Sequence, residues 1–140
     1  MLSKDKMDLQ KNTAKDSILV IDDSPEMLIV DRIVLESEGY QVFTSTSGNE
    51  ALEVLSQMEN PALILLDYQM KDMNGGDFLL ELEKNRPDLV RKVPVVFHTG
   101  MDRLPKSKAA GCIPKVSDIS VFLHEVQRFI QLGHQLPSNH

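Results

Sequence analysis

Residues Leu63 to Gly76 read LILLDYQMKDMNGG. A run of apolar residues stops at a carboxylate, Asp67, and then breaks into a loop of polar residues and glycine. The same arrangement occurs in ILVIDDSPEM, Ile18 to Met27, where the apolar run meets Asp22 and Asp23. A short, fully apolar, branched run is what a strand covered on both faces requires. Two such strands, each delivering carboxylates at its end, read as parts of one site.

Around them the chain alternates between strand and helix patterns. SILVI is the first strand; Ser24 then offers an N-cap with Pro25 at the first helical position, and Met27, Val30, Val34 and Leu35 give a helical stripe up to Gly39. YQVFTS reads as a second strand, followed by a helix through GNEALEVLSQME that stops at Asn60 and Pro61. ALILL is the third strand, and DFLLELEKN a helix ended by Arg86 and Pro87. VPVVFH makes a fourth strand, LPKSKAAG at most a stunted helix, CIP a brief fifth strand, and ISVFLHEVQRFIQL the last helix. Strict alternation predicts the α/β class, a parallel sheet with helices on both faces. For five strands the common doubly wound order is 2-1-3-4-5, here with a shortened fourth helix.

With 140 residues and 41% hydrophobic content the chain can bury one core. A net charge of -6 disfavours direct binding to nucleic acid or anionic lipid. The longest apolar run, Ala62 to Leu66, is far short of the ~20 residues of a membrane span. The start MLSKDKMDLQKNTAKD has no apolar centre, so no signal peptide is expected. It reads as a flexible leader over 1–16, before a domain over 17–132 and a tail over 133–140 too short for an output domain. The single cysteine, Cys112, excludes an internal disulfide and fits a reducing cytoplasm.

In an open parallel sheet the strand ends share one edge, and ligands bind where strand order reverses, between strands one and three. Asp22, Asp23 and Asp67 are then neighbours, and three gathered carboxylates call for a cation. A hard divalent ion, Mg²⁺, suits one or two carboxylates, waters and phosphate oxygens. Strand four ends in Thr99, a hydroxyl able to donate to a phosphoryl oxygen, and strand five ends in Lys115, a compact positive charge. Together these describe a site that receives a phosphoryl group, with Asp67 as the nucleophile.

The constellation Asp22, Asp23, Asp67, Thr99 and Lys115, each at a strand end in this order, resembles the receiver domain of two-component response regulators over about Ser17 to Leu132. DYQMKDMNG, including Gly75, resembles the loop after that family's phosphorylated aspartate, and TSGNEAL its second helix start. The resemblance implies a flavodoxin-like fold and a cytoplasmic, non-enzymatic phosphoacceptor that signals by protein–protein contact. It implies a histidine kinase or histidine phosphotransfer protein as donor to Asp67, with Mg²⁺, and an unidentified downstream protein target. Asp23 would ligate the metal directly, Asp22 mainly through water, and the backbone carbonyl of Gln69 would be the third protein ligand. Lys115 would bridge to the phosphoryl group and Thr99 would swing toward it.

The chain departs from the family pattern after the lysine, where Val116 replaces the usual proline and its frequent cis bond. Cys112 stands where Tyr or Phe is usual, Lys71 replaces a frequent proline, and the interval from Thr99 to Lys115 is short. These changes predict that phosphorylation orders or disorders Gly100 to Gly111, with no aromatic rotation. Taken singly, Asp23 is equally a helix cap, Thr99 a turn residue and Lys115 a surface lysine. His98 reads as a packed core residue, His124 as exposed, and His134 and His140 as tail residues, so the histidines form no metal set. Met70, Met73 and Met101 fill space near the site, and Cys112 reads as a small packing residue.

Two other functions fit parts of the pattern. One is a phosphorylation-independent interaction module on the same fold. The other is a haloacid dehalogenase-type phosphatase, which wants a second aspartate two residues after the first, whereas position 24 is Ser. A flavodoxin-like electron carrier would need a Ser/Thr- and Gly-rich phosphate loop, which DDSPEM lacks.

Overall fold

A computed structural model of the chain describes residues 16–115 and 118–134. The leader before Asp16, the residue after Lys115 and most of the tail, His140 included, lie outside the described residues. The elements run β1 (Ser17–Ile21), α1 (Pro25–Ser37), β2 (Gln41–Ser45), α2 (Gly48–Gln57), β3 (Leu63–Leu66), α3 (Gly75–Asn85), α4 (Pro87–Lys92), β4 (Val95–Thr99), β5 (Gly111–Pro114) and α5 (Ile119–His134). The five strands form one sheet in the order β2-β1-β3-β4-β5, as the alternation predicts. Every pairing is parallel, with Ile21 opposite Ser45 and Leu66, and Leu66 opposite Phe97.

Strands β1 and β3 are continuous apolar runs because both faces are covered. Ile18 and Val20 face a core closed by Leu28 and Leu35 of α1 and Phe122, Val126 and Phe129 of α5. Leu19 and Ile21 face a second core closed by Ala51 and Leu55 of α2, Phe78 and Leu82 of α3 and Leu89 of α4. None of the helices among the described residues is long and apolar enough to cross a membrane.

Four expectations are corrected. The buried side of α1 is Leu28, Asp31 and Leu35; of the expected stripe Leu35 is buried and Val34 packs partly against the core, Met27 is half-buried, and Val30 is exposed with Ile29 and Ile33. Asp31 sits on the core stripe, so a polar residue marks the face that apolar periodicity alone misplaces. No helix forms over LPKSKAAG. Pro105 supplies no amide and disfavours helical backbone at Leu104. A short helix instead follows α3 directly, with Pro87 in its first turn, Asp88 near its start and Arg91 and Lys92 near its end. Cys112 is exposed rather than packed. It alternates with buried Ile113 on β5 and points to the side that a helix between β4 and β5 would have covered. The last helix also runs to His134, into the segment read as tail.

Candidate functional site

The ends of β1, β3 and β5 are held by the hydrogen-bond ladder one residue past the strand. Asp22 N donates to Ser45 O at 3.0 Å, Asp67 N to Ile21 O at 2.9 Å, and Lys115 N to Thr99 O at 3.1 Å. The side chains that follow the strands therefore gather at one edge. Asp22, Asp23 and Asp67 each place a carboxylate oxygen within 4.8 Å of the others. Lys115 Nζ lies 2.7 Å from Asp22 Oδ2 and 3.1 Å from Asp67 Oδ2. The second contact is an aligned hydrogen bond, whereas the first is a charge contact without that alignment, leaving Asp22 Oδ2 with no hydrogen-bond partner.

The electrostatics follow from two buried carboxylates facing one ammonium. Burial raises the Asp22 pKa; Lys115 and the Ser24 N–H lower it in part, and the Asp67 charge adds to the rise. Burial pulls Lys115 down, but Asp22 and Asp67 together outweigh it and hold the ammonium above its ordinary value. The Asp22 shift is therefore chiefly one of burial, whereas the Lys115 shift reports two carboxylates beside one ammonium. A divalent cation fits three carboxylates gathered within 4.8 Å, two of which share a single ammonium.

Local sequence explains the rest of the shape. Ser24 caps α1, its hydroxyl accepting from Met27 N at 3.3 Å, so the helix start does not use the Asp23 carboxylate. Asp22 Oδ1 instead accepts from Ser24 N at 2.9 Å. Gln69 N donates to Asp67 Oδ1 at 3.3 Å, which keeps Gln69 beside the candidate acceptor. At Gly75 a Cβ would come within 2.8 Å of Phe97 Cε1 and 2.9 Å of Asp67 O, so only glycine lets the loop close against β3. Thr99 is buried and its hydroxyl accepts from Met101 N at 3.4 Å.

Sequence reasoning missed Asp72. Its two oxygens accept from Gly48 N at 3.2 Å and Asn49 N at 3.0 Å, tying the loop after Asp67 to the start of α2. Burial acts to raise its pKa, but these amide donors win and lower it. Asp31 was also missed; it is buried beside His98, which is a core residue as expected but not a purely packed one. His124 is exposed as expected, and Met70 and Met73 pack against the core below the loop.

The family profile described as "Response regulator receiver domain" matches residues 18–127. Sporulation initiation phosphotransferase F of Bacillus subtilis is 28% identical over 120 residues, covering 84% of this chain and 95% of that protein. The transcriptional regulatory protein GlrR of Escherichia coli is 36% identical over 93 residues, 66% of this chain. The chain spans only 20% of that protein and 19% of the sensor kinase/phosphatase CqsS of Vibrio cholerae. Among solved structures, the receiver domain from Methanospirillum hungatei superimposes with a TM-score of 0.75 at 24% identity, over 87% of this chain and 98% of that one. The response regulator TrrA of Thermotoga maritima, solved in complex with Mg(2+)-BeF, gives 0.70 at 25% identity, over 82% and 99%.

Proposed function

The chain belongs to the response regulator receiver family, and on that premise we propose that it takes a phosphoryl group from a phosphohistidine donor onto Asp67. The observation that carries this reading is the Lys115 ammonium set between Asp22 and Asp67 at 2.7 and 3.1 Å. The ammonium stands beside one oxygen of each carboxylate, and of the two it is Asp67, at the end of β3, that the family pattern supports as the acceptor.

An Asp67 oxygen attacks phosphorus, forming a P–O bond as the P–N bond to the donor imidazole breaks. The electron pair of the P–N bond stays on the imidazole nitrogen, which takes a proton from solvent. The product is an acyl phosphate, carrying more negative charge than the carboxylate it replaces. Lys115 neutralises part of that charge, and the Thr99 hydroxyl donates to a phosphoryl oxygen. Asp22, Asp23, Asp67 and the Gln69 carbonyl would hold the metal. Mg²⁺, when bound, supplies compensation for the carboxylates and the transferring oxygens. The same groups permit later hydrolysis of the acyl phosphate by water.

The donor is proposed to be a histidine kinase or histidine phosphotransfer protein, with output through contact with a further protein. A phosphorylation-independent interaction module is the second reading, favoured by the missing helix between β4 and β5 and the exposed Cys112. Intact mass after incubation with Mg²⁺ and acetyl phosphate separates the two. The wild type should gain about 80 Da, one phosphoryl group, and Asp67→Asn should gain nothing. An equal gain in Asp67→Asn would move the acceptor elsewhere, and no gain in the wild type would favour the second reading.

A further inference from the structure

We propose that Asp31 and His98 form a buried positioning pair for the strand ends that carry Thr99 and Lys115, an inference that rests on the phosphoacceptor reading of that edge. Neither residue belongs to the constellation at the edge, and each is only 5% exposed. His98 Nε2 lies 3.6 Å from Asp31 Oδ2, and His98 Nδ1 lies 2.9 Å from the Ile113 carbonyl oxygen. The ring lies against Phe122 of α5, with centroids 5.0 Å apart. One imidazole thus meets α1, β5 and α5 from a position on β4.

The donor inventory fixes what the ring must carry. A backbone carbonyl only accepts, so Nδ1 holds a proton and donates it. At 3.6 Å the contact between Nε2 and Asp31 Oδ2 is longer than a hydrogen bond, so the buried carboxylate is answered by the nearness of the ring. Asp31 Oδ2 makes no hydrogen bond, and the His98 ring nitrogen 3.6 Å away faces it across the core.

The placement links this pair to the edge. His98 directly precedes Thr99, and Ile113 lies two residues before Lys115. Asp31 sits on the helix that starts just after Asp22 and Asp23. The pair and Lys115 also line one small cavity of about 80 Å³, where Ile119 and Phe122 of α5 contribute no charge. An apolar residue at position 98 could fill the space but could not hold the Ile113 carbonyl. Loss of the pair should therefore disturb where Lys115 and Thr99 point while sparing Asp67 itself.

The test compares the initial rate of phosphoryl uptake from phosphoramidate with Mg²⁺ against the melting temperature. Asp31→Asn keeps a donor toward Nε2 of a neutral ring, and should retain the rate within about twofold. His98→Leu alone strands a buried carboxylate and can fail to fold. Asp31→Leu/His98→Leu removes both groups, and apolar replacement of a buried pair commonly leaves stability intact. That double variant should melt near the wild type yet take up phosphate roughly tenfold more slowly. A double variant with both wild-type melting and wild-type rate overturns the proposal, as does Asp31→Asn losing as much rate as the double variant. Nitrogen chemical shifts of the His98 ring test the pair without any reaction: Nδ1 protonated is expected, and Nδ1 unprotonated overturns it alone. A wild type that takes no phosphoryl group overturns the phosphoacceptor reading and this proposal with it.

Discussion

The β1–β3 side of the sheet edge and the β4–β5 side are built to different standards. At β1 and β3 the residues beyond the strands stay on the ladder, Asp67 N reaching Ile21 O and Asp22 N reaching Ser45 O, and the loop after Asp67 is clamped by Asp72. Between β4 and β5, residues 100–110 form no helix, and Cys112 is left exposed beside them. Lys115 N reaches Thr99 O in the same way, so the difference teaches that every strand end carrying the site is held by backbone, whereas the connection over 100–110 that would report the chemistry lies outside helix and sheet. Few buried contacts and solvent-exposed backbone make the second region the one that opens most easily.

The largest expected effect strikes the first region. Asp23→Ala should weaken Mg²⁺ binding by more than about tenfold and slow phosphoryl uptake with it, and EDTA should abolish uptake by the wild type. Calorimetric titration of Mg²⁺ checks the affinity; uptake unchanged by EDTA would remove the metal from the account. Replacing exposed His124 should change neither quantity.

The same contrast predicts opposite fates for two glycines. Gly75→Ala places a methyl against Phe97 and the Asp67 carbonyl, and should cost about 1–3 kcal/mol in denaturant unfolding. At Gly100 a Cβ would meet nothing within 4 Å, so Gly100→Ala should stay within about 0.5 kcal/mol of the wild type. Equal costs at both positions would erase the distinction.

A smaller effect comes from Asp72. Its folded pKa is lowered, so its contribution is present above the ordinary carboxylate value of about 3.9 and is lost as pH falls through the lower folded value. Asp72→Ala should therefore cost under about 1 kcal/mol at neutral pH, the group being largely exposed, and the gap to the wild type should close in acid. A gap that widened as pH fell would reverse the assigned sign.

What could be read beforehand follows the same division. β1 and β3 were legible because strands covered on both faces must be continuously apolar, and the carboxylates ending them stand out against that run. The stripe on α1 was not, because Met27 to Val30 and Ile33 to Leu35 are all apolar and define no single face. Leu28, Asp31 and Leu35 decide it, and Asp31 looks wrong for a core until His98 is found beside it, 67 positions away in sequence. Pro87–Lys92 is too short for periodicity to declare, though its proline and end charges were visible. Cys112 follows the usual rule for free cysteine only where something covers it, and the missing helix could not be foreseen from the thiol.

Amide hydrogen exchange with and without Mg²⁺ and beryllofluoride tests most directly whether one edge joins a fixed chemical half to a loosely held reporting half. The account predicts low protection over 100–110 in the free protein, a change in protection there when the phosphoryl mimic binds, and little change in β1 and β3. Unchanged protection throughout 100–110, with the response confined to Lys115 and α5, would contradict it.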